Sequence, residues 1–288
     1  MIKHLAWIIG ITLLIVLCIV RPFLPGDYDG LAMPLSTMAQ AFGVVGMLLV
    51  PVGGLWLVYE FRSRARKKNL PVKARGYAFA LVSLVVATLV AAIISLIGLV
   101  TLGPSLGLLT LTLWLYAFSK LIPKLKSLKN AEREPFNPTP LYLIILPIAA
   151  LLSQILLAAP MTEFSRTRAI AMSAEFIGDI EAYRTANGHY PVSLLATWKD
   201  YYPDIVGIEK FHYAPEGEAY NLFFEQPRFL LDNIGTREFV VYNPLDEQRI
   251  ISHTSWILLL TPEELDGAQG WYEVHEASSP HWKYFWFD

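Results

Sequence analysis

Five of the six histidines fall after residue 161: His189, His212, His253, His275 and His281. A zinc centre needs three or four nitrogen, sulfur or carboxylate ligands, usually with two of them brought together at helical or hairpin spacing. His275 and His281 flank the turn-forming run Ala277-Ser278-Ser279-Pro280 and would converge across a hairpin there, with Glu273 and Glu276 beside them. This pair is the divalent-metal candidate. Histidines scattered over a polar surface explain the same count, no H-E-x-x-H helix motif occurs, and Cys18 is the only cysteine. It has no second thiol in the chain for a disulfide or a CxxC pair. Acidic runs at Asp246-Glu247 and Glu263-Glu264-Asp266 lack the ligand alternation of an EF-hand loop. They read as solvated loop, with Thr261 capping a first helical turn at Glu263-Glu264. No S-x-x-K run is present, nor a Walker or Rossmann glycine pattern. No catalytic residue and no cofactor other than such a metal is assigned.

Aromatic side chains are the other chemical resource. The chain ends His281-Trp282-Lys283-Tyr284-Phe285-Trp286-Phe287-Asp288. As a strand, this places Trp282, Tyr284 and Trp286 on one face and Lys283, Phe285 and Phe287 on the other, because successive side chains alternate. Both faces then carry aromatics. One of them is either covered by another element or offered to a partner such as a sheet edge, a glycan or a lipid surface. A core strand is the first reading; the alternative is a binding platform, with Trp271, Trp282, Tyr284 and Trp286 as the binding candidates.

The elements that must position these groups follow from composition. Of 288 residues, 54% are apolar and only 17% charged, and the mean hydropathy is +0.42. Soluble domains average about 25% charged residues. The net charge of −2 conceals a basic stretch, residues 1–161, and an acidic one, 162–288. Phosphate backbones would be repelled by the acidic part, so nucleic acid is excluded as a partner. A membrane-spanning helix takes roughly 20 apolar residues. Five segments qualify: Leu5–Val20, Met38–Tyr59, Tyr77–Leu102, Leu106–Phe118 with its flanks, and Leu141–Ala159. Ser36 or Thr37 would cap the second, and Gly103-Pro104-Ser105 would separate the third from the fourth. Basic loops at 62–75 and 120–138 then lie together on the cytoplasmic side. The amino terminus lies with them, and residues 161–288 lie outside the cytoplasm. The division is a five-span region over 1–160 and an outer domain over 161–288, with the lipid bilayer as the first partner. Segment one ends in bulky residues, so an uncleaved anchor is expected rather than a signal peptide. No Asp, Glu, Lys or Arg lies inside the five segments, which leaves a transporter third in rank. Gly43/Gly46, Gly53/Gly54 and Gly103/Gly107 suit close helix packing.

In the outer domain, Thr162–Ala186 has helical periodicity, with Ala169, Ile170, Met172, Ser173, Phe176, Ile177, Ile180 and Tyr183 on one face. Asn187-Gly188 supplies a left-handed stop, and Ser193 would cap a short helix through Trp198. Three hairpins are expected: 210–214 with 220–225, 238–242 with 249–253, and 271–276 with 282–287. The fold class is therefore membrane α-helical, with five transmembrane helices, plus a C-terminal α+β domain in which a long helix packs on an antiparallel sheet.

A span running into an amphipathic helix that ends Ile180-x-x-Tyr183-x-x-x-Asn187-Gly188-x-Tyr190-Pro191, followed by a meander, resembles type IV pilins and type II secretion pseudopilins over about 141–198. The resemblance implies a pilin-like exodomain with those six residues forming its structural turn. Pilin leader and cleavage residues are not matched before Leu141, so processing and filament formation are not expected. The function expected is binding or assembly with envelope proteins at the inner membrane, ahead of an envelope enzyme or a metal or ligand sensor.

Overall fold

A computed structural model describes all residues except 1, 66–72, 102, 131–136, 194–198, 217, 233–235, 249, 252–258, 261–271 and 288. The short helix expected through Trp198 and the helical turn at Glu263-Glu264 lie outside the described residues, as does Trp271. Two compact units are present. The first comprises Met1–Ile19 and Pro34–Ile155; the second comprises Val20–Met33 and Leu156–Asp288. The structure is mostly helical, with a five-stranded antiparallel sheet in the second unit.

The helices are α1 (Ile2–Val20), α2 (Ala32–Val45), α3 (Leu49–Ala65), α4 (Lys73–Thr101), α5 (Pro104–Asn130), α6 (Thr139–Met172) and α7 (Ala174–Asn187). They include five stretches long and apolar enough to cross a membrane, Ile2–Phe23, Ala32–Arg62, Gly76–Val100, Pro104–Leu125 and Thr139–Asn187. The break at Gly103 occurs as expected, with Gly103 at φ +93° and Pro104 opening α5, where its missing N–H is harmless. The second stretch starts earlier than Ser36. That hydroxyl donates to Ile19 O at 2.7 Å and accepts from Gln40 Nε2 at 2.9 Å, so it ties two helices instead of capping one. Gln154 Nε2 then donates to Gln40 O at 2.8 Å, linking α6 to α2.

Glycine sets how closely these helices approach. A Cβ at Gly43 would stand 2.6 Å from Gln154 Nε2 and 2.9 Å from Leu151 N; one at Gly53 would stand 2.9 Å from Ile144 Cγ1. Gly46 faces Pro147, and Gly107 faces Leu99 and Ser95 across the α4–α5 contact. Gly54 and Gly103, paired with them in the sequence reading, have open space where a side chain would go. Gly98, unremarked in the sequence, meets Gly107 instead.

The second unit is built on α6 and α7. Pro160 does not end the helix. The backbone stays helical to Met172 and breaks at Ser173, whose N–H is shared between Ala169 O and Ile170 O at 3.1 and 3.2 Å. One lost donor at Pro160 is a smaller penalty than unpairing a whole turn in apolar surroundings. Strands β1 (His212–Glu216), β2 (Ala219–Gln226), β3 (Arg237–Tyr242), β6 (Tyr272–Glu276) and β7 (Trp282–Phe287) are ordered β1-β2-β3-β7-β6. A separate pair is formed by β4 (Ile250–Ile251) and β5 (Leu259–Leu260). The first and third expected hairpins form. The second does not. Both edges of β3 are taken, by β2 and by β7, and Ile250–Ile251 pairs with Leu259–Leu260. Pro215 is accommodated because β1 is an edge strand.

Ala169, Ile170, Phe176 and Ile180 of the helices bury against Tyr220, Leu222, Phe224, Val240 and Trp282 of the sheet. Met172, expected on that face, is exposed. The opposite sheet face holds a smaller cluster of Phe223, Phe239, Val241 and Phe285. The connection at 20–33 belongs to this unit. Phe23 is fully buried and stacks on Phe229 at 4.5 Å. Val206 N donates to Leu24 O at 2.9 Å, Gly207 N to Pro22 O at 2.8 Å, and Asp29 N to Val206 O at 3.0 Å. This segment thus falls in the second unit, with Leu156–Asp288.

Candidate functional site

The turn after α7 gathers all six residues singled out by its motif. Ile180 is core. Asn187 Nδ2 donates to Tyr183 O at 2.9 Å, and Gly188, at φ +78°, donates its N–H to Arg184 O at 2.8 Å. A residue with a Cβ resists that conformation, which is why glycine ends the helix. Tyr190 is buried; its hydroxyl donates to Glu181 Oε1 at 3.2 Å and accepts from Arg184 Nη1 at 2.6 Å. Pro191 O accepts from Tyr213 at 2.8 Å, fastening the turn to β1. Burial, with the Glu181 carboxylate as a lesser cause, raises the phenols of Tyr190 and Tyr220 above their ordinary range. Uncharged tyrosines therefore fill this junction, which acts as a clamp between helix and sheet.

Around the other end of the sheet lies a charged cluster that the sequence reading missed. Glu238 is fully buried. Its Oε1 accepts from Arg166 Nε at 3.0 Å and Nη2 at 2.6 Å, and its Oε2 accepts from Trp286 Nε1 at 2.7 Å. Arg228, also buried, places Nε 3.9 Å from Oε2 and donates from Nη1 to Thr236 Oγ1 at 2.8 Å. Rings separate the two guanidinium groups. Arg166 lies 3.9 Å over Tyr284, Tyr284 stacks on His275 at 4.9 Å, His275 meets Trp286 at 4.4 Å, and Arg228 lies 4.4 Å over Trp286. Burial is the main cause holding the Tyr284 phenol above its ordinary range, opposed by Arg166. Chemically the cluster is a latch: the Glu238 carboxylate is buried and engaged by three donors, two from Arg166 and one from Trp286. One signal was available in the sequence, since Glu238 shares strand parity with Val240 and Tyr242. Phe239 and Val241 made the opposite face equally apolar, so parity alone did not say which face was inward.

The aromatic candidates separate accordingly. Trp282 is a core side chain, 3% exposed, so it offers no surface to a ligand. Tyr284 and Trp286 are half-buried and engaged by Arg166, Arg228 and Glu238. The two metal candidates have separate partners. His275 lies within β6, opposite Tyr284, with Nε2 3.5 Å from Glu273. His281 sits in the turn at φ +64°, its Nδ1 3.0 Å from Asp246 Oδ2. The hairpin puts one in the ladder and the other beyond its end. Among the described residues no group of three or more His, Cys, Asp or Glu side chains is placed to hold a metal ion.

No protein-family model, curated protein or solved structure matches this chain.

Proposed function

We propose that this chain is a multi-pass inner-membrane protein whose second unit is a pilin-like domain, presented outside the cytoplasm, that acts by binding and assembly with envelope proteins. The observation that carries the reading is the course of α6 and α7. The apolar helix α6 runs past Pro160 to Met172, and α7 follows it and ends in the Tyr183-to-Pro191 clamp against an antiparallel sheet. Two further observations support it. The 20–33 connection is hydrogen-bonded to residues 204–207, as expected if the loop after the first span and the carboxy-terminal domain share one side of a bilayer. The buried charged groups Arg166, Arg228 and Glu238 are grouped together, which suits a rigid recognition module more than a reaction centre.

The test compares full-length protein with a version ending at Ala159, by crosslinking and co-purification from native membranes. Envelope proteins that crosslink to the full chain and disappear on truncation are the expected result. Identical protein lists from the two would sink the assembly reading.

A further inference from the structure

We propose that β6 is a self-association edge, at which two copies of this chain pair antiparallel about Val274 and continue one sheet into the other. This does not rest on the pilin-like reading. The sheet ends in β1 on one side and β6 on the other. Pro215 interrupts the donors of β1, a usual device for blunting an edge. Strand β6, Tyr272-Glu273-Val274-His275-Glu276, contains no proline, and Val274 at its centre is 43% exposed. Among the described residues no strand lies on its outer side.

Backbone alternation fixes which residues face outward. Ala277 N donates to Trp282 O at 3.0 Å, so this opposed pair is of the hydrogen-bonded kind. Counting back along the ladder, 275 and 273 bond to β7, and 276, 274 and 272 direct their N–H and C=O groups to the outer edge. A second copy centred on Val274 sets 274 against 274, 272 against 276 and 276 against 272. All three outward residues of each copy are then used, in about six inter-strand hydrogen bonds. The pairs between them, Glu273 against His275 and its symmetry mate, are of the non-hydrogen-bonded kind, in which side chains come closest. Each glutamate thus meets an imidazole. A shift of the centre by one residue toward Glu273 would set two glutamates against each other, and a shift toward His275 would set two histidines together; both also leave an outward residue unmatched. Half-residue shifts oppose outward groups with inward ones. The strand is self-complementary in one register.

The test uses the full chain in native membranes with Cys18→Ala as background. Val274→Cys places two thiols at the symmetry centre, where paired Cα atoms about 5.5 Å apart suit a disulfide. Mild oxidation should yield a covalent dimer from Val274→Cys at least tenfold above Leu245→Cys, an exposed control outside the sheet. Adding Glu273→Lys should reduce it to the control level, and exchanging the pair (Glu273→His with His275→Glu) should restore it. Crosslinking at Val274→Cys no greater than at Leu245→Cys, in protein with unchanged tryptophan emission, would overturn the proposal. Crosslinking unaffected by Glu273→Lys would equally overturn this register.

Discussion

Replacing Glu238 by leucine should be the most damaging single change in the second unit that leaves the apolar core intact. Its carboxylate accepts two bonds from Arg166 and one from Trp286, with Arg228 3.9 Å away. Removing one partner of a buried ion pair costs about 3–5 kcal/mol, because the remaining charge stays desolvated and unpaired. The lower end applies here. Arg166 keeps Glu163 and the Tyr284 face, and Arg228 keeps Thr236 and Asp232 at 3.5 Å. A loss of about 3 kcal/mol, with a urea slope of about 2 kcal/mol/M for a domain of this size, lowers the unfolding midpoint by about 1.5 M. The assay is urea unfolding of the full chain in detergent, followed by tryptophan emission, which Trp286 itself reports. Combining Arg166→Met with Glu238→Leu should cost less than the sum of the two single changes by about 2 kcal/mol, since the double variant strands neither charge of that pair. A cost under about 1 kcal/mol for Glu238→Leu, or strict additivity in the double variant, would refute the account of the latch.

Other expectations follow from the same geometry. Gly43→Val drives a side chain into Gln154 and the Leu151 backbone, so it should lower the thermal midpoint of the first unit; Gly54→Ala, inside α3 with open space around it, should not lower that midpoint, because alanine is the better helix former by about 0.5–1 kcal/mol. Phe23→Ala removes a fully buried ring stacked on Phe229 and should destabilise the second unit by about 3–5 kcal/mol, read as lost protection of residues 204–229 in hydrogen exchange. His212 has its imidazole held below its ordinary value by burial and then by Lys210. The unfolded chain therefore binds more protons between that depressed value and about 6.5, so this contribution to stability is complete above about pH 6.5 and is lost as pH falls through the folded value. His212→Gln should flatten the dependence between pH 7.5 and 5 relative to the parent, and equal slopes would contradict the assignment. Tyr190→Phe should cost about 1–2 kcal/mol in the same urea titration, through the lost bonds to Glu181 and Arg184.

Apolar run length and turn chemistry were legible without coordinates. Five helices long enough to span, the Gly103-Pro104 break, the Gly188 stop and the β1–β2 and β6–β7 hairpins all depend on neighbours within a few residues, where sequence patterns act directly. The glycine contacts were half legible. Small residues announce that helices can approach, but which glycine faces a partner depends on helix rotation, so Gly54 was paired wrongly and Gly98 was passed over. The expected hairpin between β3 and 249–253 failed for a related reason. Local turn chemistry at Asn243-Pro244 cannot register that β7, some forty residues on, has already taken that edge.

By itself the sequence determined the number and extent of the apolar helices, the acidic character of the carboxy-terminal part, and the helix-then-strands order that makes it α+β. Those properties are sums or short-range periodicities, and hydrophobic burial and backbone pairing act on them locally. Only the tertiary structure decided that 20–33 belongs with 156–288, that Trp282 is core, and that Arg166, Arg228 and Glu238 meet although up to 72 residues separate two of them. Desolvated charges are tolerable only as a set. That set comes into existence when α6, β3 and β7 are already packed, so no one segment carries its signature.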